Sequence, residues 1–381
     1  MELVICHYSE IGLKGKNRRF FEEKLIENIK KALPKNSWQK VRRISGRILI
    51  ELKKEGEKKE REIKETLKNV FGIAYFSFAE SCEQNIREIK KKVVEILKDK
   101  AFKTFKVETQ RSKKDFPLNS QEINQQVGQY LLKNLKSDEV RPRQIKVDLE
   151  NPDITCFIEI VESYAFLYLE KFRGPGGLPV GVSGKAISLV SGGIDSAVAS
   201  FFGMRRGIKI VFLYFYTHSS SIEKIKKIVE VLNKYQFKSR LYLVPFLDVQ
   251  KDIFKKTEPK FCCLLCRRFM FRIAEILAKN EKAEALITGE NVGQVASQTL
   301  RNIGVIEEIT KLPVLRPLIG MDKEDIINRA KEIGTFCVSI LPQEFYCQKF
   351  LPRHPETKAD LEKVKEEEKK LDIEKLIKEA I

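Results

Sequence analysis

What the 381-residue sequence lacks narrows its class first. No run of about 18 uncharged apolar residues occurs, so no helical membrane span is expected. The opening MELVICHYSEIGLKG has no basic n-region, apolar h-region or small-residue cleavage site, which argues against secretion and for the cytoplasm. Histidine is scarce: His7, His218 and His354 show no metal-ligand spacing, and no Ser–His–Asp set can be drawn from them. Eight cysteines are too sparse for the disulfide framework of a small secreted domain. They read as thiols, or as metal or redox chemistry where they cluster. Acidic residues are in deficit, 53 against 71 Lys and Arg, which leaves a formal charge of +18. That excess predicts an anionic partner bound through counterion release from phosphates; a Lys-rich surface with no partner is the alternative.

What is present suffices for packed cores. Apolar residues make up 43% of a chain long enough for two or three domains. Residues 1–50 hold 12 Lys/Arg and 5 Asp/Glu, a local charge of 12 − 5 = +7. There, Phe21, Leu25, Ile29 and Leu33 recur at helical spacing between strand candidates Leu3–Cys6 and Arg47–Leu52. The basic loop Lys14, Lys16, Arg18 and Arg19 is the expected phosphate contact of this α+β unit. Further on, helices are expected near 85–99 and 121–135, and strands near 103–109, 144–149, 155–161 and 165–170. Lys171–Gly184 is rich in Gly and Pro and reads as a linker. From Lys185 the pattern becomes apolar runs alternating with helices, at Ala186–Val190, Ile208–Phe215, Leu241–Pro245 and Ala285–Thr288. Such runs predict an α/β domain with a doubly wound parallel sheet. Thr357–Ile381 carries 7 Lys and 8 Asp/Glu and reads as a solvated helix with i,i+4 pairs such as Glu366–Lys370.

The sharpest motif is Ser191-Gly192-Gly193-Ile194-Asp195-Ser196, between an apolar strand and the helical run Ala197–Met204. At such a turn, glycines let backbone N–H groups face a phosphate, and the helix N-terminus adds partial positive charge. Ser191 and Ser196 offer hydroxyl donors. Asp195 would repel bare phosphate, so its expected role is to hold a bridging Mg²⁺. The motif is no Walker A loop: Gly184-Lys185 is followed by Ala186, and Pro179 stands where the first glycine is needed. It resembles instead the PP-loop of the N-type ATP pyrophosphatases, which split ATP between the α and β phosphates and adenylate a carbonyl oxygen.

Longer stretches extend the resemblance. The run Thr288-Gly289-Glu290-Asn291-Val292-Gly293-Gln294-Val295-Ala296-Ser297-Gln298-Thr299-Leu300 is similar to the tRNA uridine 4-sulfurtransferase (4-thiouridine synthetase) family. So are Leu315-Arg316-Pro317-Leu318 with Asp322-Lys323, Ser9–Arg18 and Gly176–Gly181. One departure is Ala197, where the family usually has proline. The resemblance implies a ferredoxin-like domain over 1–58, a THUMP RNA-binding domain over 59–170, a linker over 171–184, a PP-loop catalytic domain over 185–356 and a charged C-terminal helix over 357–381. It implies adenylation of O4 of a tRNA uridine near position 8, then sulfur attack at C4 with loss of AMP. ATP would lie against Leu189, Val190, the 191–196 turn, Tyr214, Phe215, Arg267, Gly289 and Gln298. Lys323 would offset charge developing on the α-phosphate. A homodimer is implied by analogy alone.

For sulfur, Cys262, Cys263 and Cys266 form C-C-x-x-C, and the segment at Cys347 resembles the family's sulfur-handling segment. Some relatives carry a C-terminal rhodanese domain, which in some serves thiamine synthesis; only the charged tail follows here. Two readings stay open. Cys263, Cys266 and Cys347 could ligate an iron–sulfur cluster with one iron open to sulfur. Otherwise Cys347 carries a persulfide that a CxxC thiol resolves. The donor is sulfide or a cysteine-desulfurase persulfide. Cys6, Cys82 and Cys156 read as inert buried thiols.

Overall fold

A computed structural model describes residues 3–112, 115–135, 145–342 and 354–381, in two compact units that meet between Gly177 and Leu178. The first unit is built on a nine-stranded sheet: β1 (Leu3–His7), β2 (Trp38–Ile44), β3 (Arg47–Leu52), β4 (Tyr75–Glu83), β5 (Thr104–Arg111), β6 (Lys146–Val147), β7 (Ile154–Val161), β8 (Tyr164–Tyr168) and β9 (Phe172–Arg173). The order is β2-β3-β1-β4-β8-β7-β5-β6, with β9 also on β4. The basic loop forms two 3₁₀ turns, Glu10–Leu13 and Gly15–Asn17, that lead into the helix Arg18–Ala32. That helix buries Leu25 and Ile29 on the apolar face read from its spacing.

Strand β4 was not evident in the sequence, yet it is central. Its first residues pair with β1, from His7↔Tyr75 to Leu3↔Ala79, and its last pair with β8, from Glu80↔Leu167 to Glu83↔Tyr164. Phe76, Ser77, Phe78 and Ala79 are consecutively buried, which removes the two-residue alternation that marks a half-exposed strand. Across this sheet His7 Nε2 lies 2.9 Å from Oε1 of buried Glu159, which also takes Arg47 and the Tyr168 hydroxyl. Burial alone would raise the Glu159 carboxyl; His7, Arg47 and Tyr168 outweigh it and hold it below the usual carboxylate range. His7 is thus a core residue, stacked on Tyr75.

The expected linker is pinned rather than loose. Phe172 and Arg173 pair with β4, Gly174 and Gly176 donate to Ala74 and Ile73, and Leu178 and Gly181 donate to Arg205 and Gly207.

The second unit carries the expected parallel sheet, ordered β12-β11-β10-β13-β14. Its strands are β10 (Lys185–Leu189), β11 (Lys209–Tyr216), β12 (Leu241–Pro245), β13 (Ala285–Ile287) and β14 (Val314–Leu315), every pairing parallel. The chain winds outward from β10 to β12 and then crosses to β13 on the other side. The crevice at the carboxyl ends of β10 and β13 is the topological switch point, where open α/β sheets bind ligands.

The C-terminal stretch differs from the solvated helix read in the sequence. It folds into two helices, Leu361–Glu368 and Ile373–Ala380, capped by Asp360 and Asp372. Val364, Leu371, Leu376 and Ala380 join the core formed with the helix Cys262–Glu281. Buried Glu368 takes both Arg268 (2.9 Å) and Arg272 (2.6 Å) from that helix. Burial alone would raise its carboxyl, but Arg272 and Arg268 hold it below the ordinary value. Lys370 donates to Glu367 (2.6 Å), where the spacing had suggested Glu366.

Candidate active site

The turn Ser191–Ser196 is shaped by its own hydroxyls. Val190 N–H extends the ladder to Leu213 O, after which Ser196 Oγ accepts from Ser191 N (2.9 Å) and lies 3.2 Å from Ser191 Oγ. The helix Ile194–Arg205 then starts at Gly193 with no side-chain cap. Its first N–H groups are therefore left for an anion. In this structure the two serine hydroxyls hold the turn itself.

Gly289, two residues past β13, closes the turn from the other side. A Cβ there would stand 2.6 Å from Ser196 N and 2.8 Å from Asp195 C, closer than packed atoms allow. Only glycine lets these two backbones meet.

Charged groups gather around this contact. Lys323, the first residue of the helix Lys323–Ile333, donates to Asp195 Oδ1 (2.5 Å), and Gln294 donates to Asp195 Oδ2 (3.0 Å). Glu290, 2% exposed, accepts from Arg267, from Arg316 Nε (2.8 Å) and from Thr288 Oγ1 (3.0 Å). Arg316 also reaches Glu307 (2.7 Å). Glu290 thus neutralises and orients Arg267 at the edge of the crevice; a buried carboxylate needs such partners. Its role was hidden in the sequence because Arg316 stands 26 residues away.

Asp195, Gln294, Glu290, Arg267 and Thr288 line one cavity of about 720 Å³. Of the residues expected to hold nucleotide, Leu189, Val190, Ser191, Gly192, Asp195, Ser196, Tyr214, Phe215, Arg267, Gly289 and Gln298 all line it. Gly193 caps the helix behind, and Lys323 arrives through Asp195. Cys262, Cys263 and Cys266 line the same cavity, on the first turns of the helix Cys262–Glu281. Cys347 lies outside the described residues. Gln294, Glu290, Arg316, Pro355 and Glu356 have no role assigned from the sequence, although all but Arg316 line the cavity.

The other cysteines divide by environment. Burial pushes the Cys156 thiol up to about 12 and Cys82 to about 11, and it raises buried Cys6 further. Cys337 is exposed. In the first unit Lys16, Arg18 and Arg19 are exposed; Arg18 donates to Gly12 O (2.7 Å), Arg19 to Glu23 (2.8 Å), and Lys14 Nζ lies 5.1 Å from the Phe21 ring centre.

Comparison with known proteins adds independent observations. The family profile described as "Thiamine biosynthesis protein (ThiI)" matches residues 181–373. The ThiI ferredoxin-like domain matches 3–77 and the THUMP domain 83–170. A probable tRNA sulfurtransferase of Thermoanaerobacter pseudethanolicus is 44% identical over 380 residues, 99% of this chain and 97% of its own length. One of Moorella thermoacetica is 41% identical over 382 residues, 99% of this chain and 95% of its own. A solved 4-thiouridine synthetase–RNA complex with bound ATP superposes with a TM-score of 0.87 at 37% identity, covering 100% of this chain and 97% of that one.

Proposed function

The chain belongs to the ThiI family, and from that membership together with the cavity we propose that it is an ATP-dependent tRNA sulfurtransferase that makes 4-thiouridine. The observation that carries this reading is the meeting, in one cavity, of the 191–196 turn, with Asp195 held by Lys323 from outside the lining, and the Cys263/Cys266 thiols.

The amides of the 191–196 turn and the N-terminus of the helix Ile194–Arg205 hold the β and γ phosphates of ATP. Leu189, Val190, Tyr214 and Phe215 flank the nucleoside, and Arg267, oriented by Glu290, adds positive charge. Uridine O4 attacks the α-phosphorus and pyrophosphate leaves with the P–O bond electrons. Lys323 offsets charge on the α-phosphate as it forms. The carboxylate of Asp195 is the group that fits Mg²⁺, which when bound would neutralise the triphosphate. Sulfur then attacks C4, and AMP leaves with its oxygen.

Two of the three thiols needed for an iron–sulfur cluster, Cys263 and Cys266, stand one helical turn apart on the cavity wall, a donor set that fits iron. With Cys347 they would hold a cluster that leaves one iron open to the transferred sulfur. Anaerobic purification with iron and visible-absorption measurement tests this: a colourless, iron-free and fully active protein contradicts it and leaves the persulfide route.

The THUMP and ferredoxin-like domains, with Lys14, Lys16, Arg18 and Arg19, grip tRNA phosphates. The target base is turned out of the tRNA to reach the adenylation site. Pyrophosphate release that rises when tRNA is added to ATP and Mg²⁺ tests the pairing of the two substrates; release indifferent to tRNA opposes it.

A further inference from the structure

One buried side chain, given no role so far, ties together two lining segments of the cavity. Asn302 is 0% exposed, in the first turn of the helix Leu300–Glu307. Its Nδ2 donates to Ala296 O (2.8 Å) and to Glu356 O (2.8 Å), and its Oδ1 accepts from Ala359 N (3.1 Å). Both amide hydrogens are therefore used, and both go to backbone carbonyls.

Two of the three partners line the site, and the third, Ala359, follows Glu356 in the same segment. Ala296 lies on the nucleotide wall beside Gln298, and Glu356 is itself a lining residue. Glu356 N–H donates in turn to Lys260 O (3.2 Å), two residues before Cys262. A continuous chain of hydrogen bonds thus runs from Ala296 through Asn302 and Glu356 to the foot of the cysteine helix. Residues 356–359 form no helix or strand, so side chains must satisfy their backbone. Thr299 Oγ1 donates to Thr357 O (2.7 Å) and Arg301 Nε to Ala359 O (2.9 Å), which makes the start of this helix a clasp on that segment.

We infer that Asn302 is a positioning residue that fixes the separation between the nucleotide wall and the thiol wall, so that sulfur rather than water meets the adenylated uridine. The inference rests on the sulfurtransferase reading. If the walls drift apart, water adds at C4, AMP leaves and uridine is regenerated, for a net conversion of ATP and water to AMP and pyrophosphate. The signature is uncoupling, which a general loss of structure would not produce.

Asn302→Asp keeps the size and the acceptor for Ala359 N but removes both donors and sets a carboxylate against two carbonyls, the costly way to break a buried hydrogen bond. The full-length protein is incubated with tRNA, ATP, Mg²⁺ and sulfide, and AMP and 4-thiouridine are both measured. The AMP-to-thiouridine ratio is expected to rise at least about tenfold over the parent, with the KM for ATP within about threefold. A ratio within about twofold of the parent overturns the assignment, as does a raised KM with the ratio unchanged. If Asn302→Asp fails to fold by circular dichroism, Asn302→Ser decides: it removes the Nδ2 bonds to Ala296 and Glu356 without adding a charge, and a ratio equal to the parent's overturns the inference. A parent that makes no thiouridine removes the enzyme reading itself; a parent that thiolates beside coupled variants removes only the role of Asn302.

Discussion

The ammonium of Lys323 sits 2.5 Å from Oδ1 of Asp195, joining two helix N-termini that stand 128 residues apart in the chain. The lysine is half-exposed, and a pair that open contributes little to stability. Its place beside the 191–196 turn suits it instead to the charge-offsetting role proposed above. Asp195→Ala and Lys323→Ala are each expected to lower kcat for thiolation at least about 100-fold. Thermal unfolding should move by no more than about 2–4 °C and RNA binding should persist. Parallel loss of folding and activity would assign the pair to structure.

Gly289→Ala tests the close approach of the two loops. With Ser196 N only 2.6 Å from the added Cβ, and backbone rather than a flexible side chain in the way, the phosphate turn must shift. The KM for ATP should rise about tenfold or more, since a displacement on the ångström scale in such a site is costly. An unchanged KM would show that the turn yields without affecting the nucleotide.

Legibility in the sequence followed contiguity. The strand, turn and helix around Ser191–Ser196 lie in one run, so propensity and motif point the same way there. The cavity-lining residues at the ends of β10 and β11 and after β13 came from the family resemblance, and a doubly wound sheet gathers such strand ends at one edge. Strand β4 was hidden by burial on both faces, and β2 by its charges, Lys40, Arg42 and Arg43, on an edge. The packing of the C-terminal helices is masked because apolar residues such as Val364 and Leu376, with Leu371 between the helices, are diluted by charge; their partners on the cysteine helix lie about a hundred residues earlier. Glu290 and Asn302 depend on contacts that span 26 and 54 residues, which no local pattern carries.

Thiol reactivity should follow burial. The thiolate is the nucleophile, and a thiol pushed up to about 12, as Cys156 is, stays protonated until far above neutral pH. In the folded protein at pH 8, iodoacetamide should label exposed Cys337 and spare Cys6 and Cys156. Peptide mass mapping reads this out. Rapid labelling of Cys156 without unfolding would refute its assignment as an inert core residue.

RNA affinity should fall steeply with salt. Lys16, Arg18 and Arg19 stand exposed around the start of the helix Arg18–Ala32, with Lys14 beside them. Replacing all four with glutamine should weaken tRNA binding and flatten the plot of log affinity against log salt by roughly 2 to 4. An unaltered slope would move the phosphate contacts elsewhere.

The cavity is proposed to adenylate and then thiolate a tRNA uridine. Unmodified tRNA is incubated with the protein, ATP, Mg²⁺ and sulfide, digested to nucleosides and examined by mass spectrometry. The expected product is a uridine heavier by the exchange of oxygen for sulfur, formed only with ATP and absent with Asp195→Ala. Fully active tRNA binding with no thiolated nucleoside, or thiolation that persists in Asp195→Ala, would contradict it.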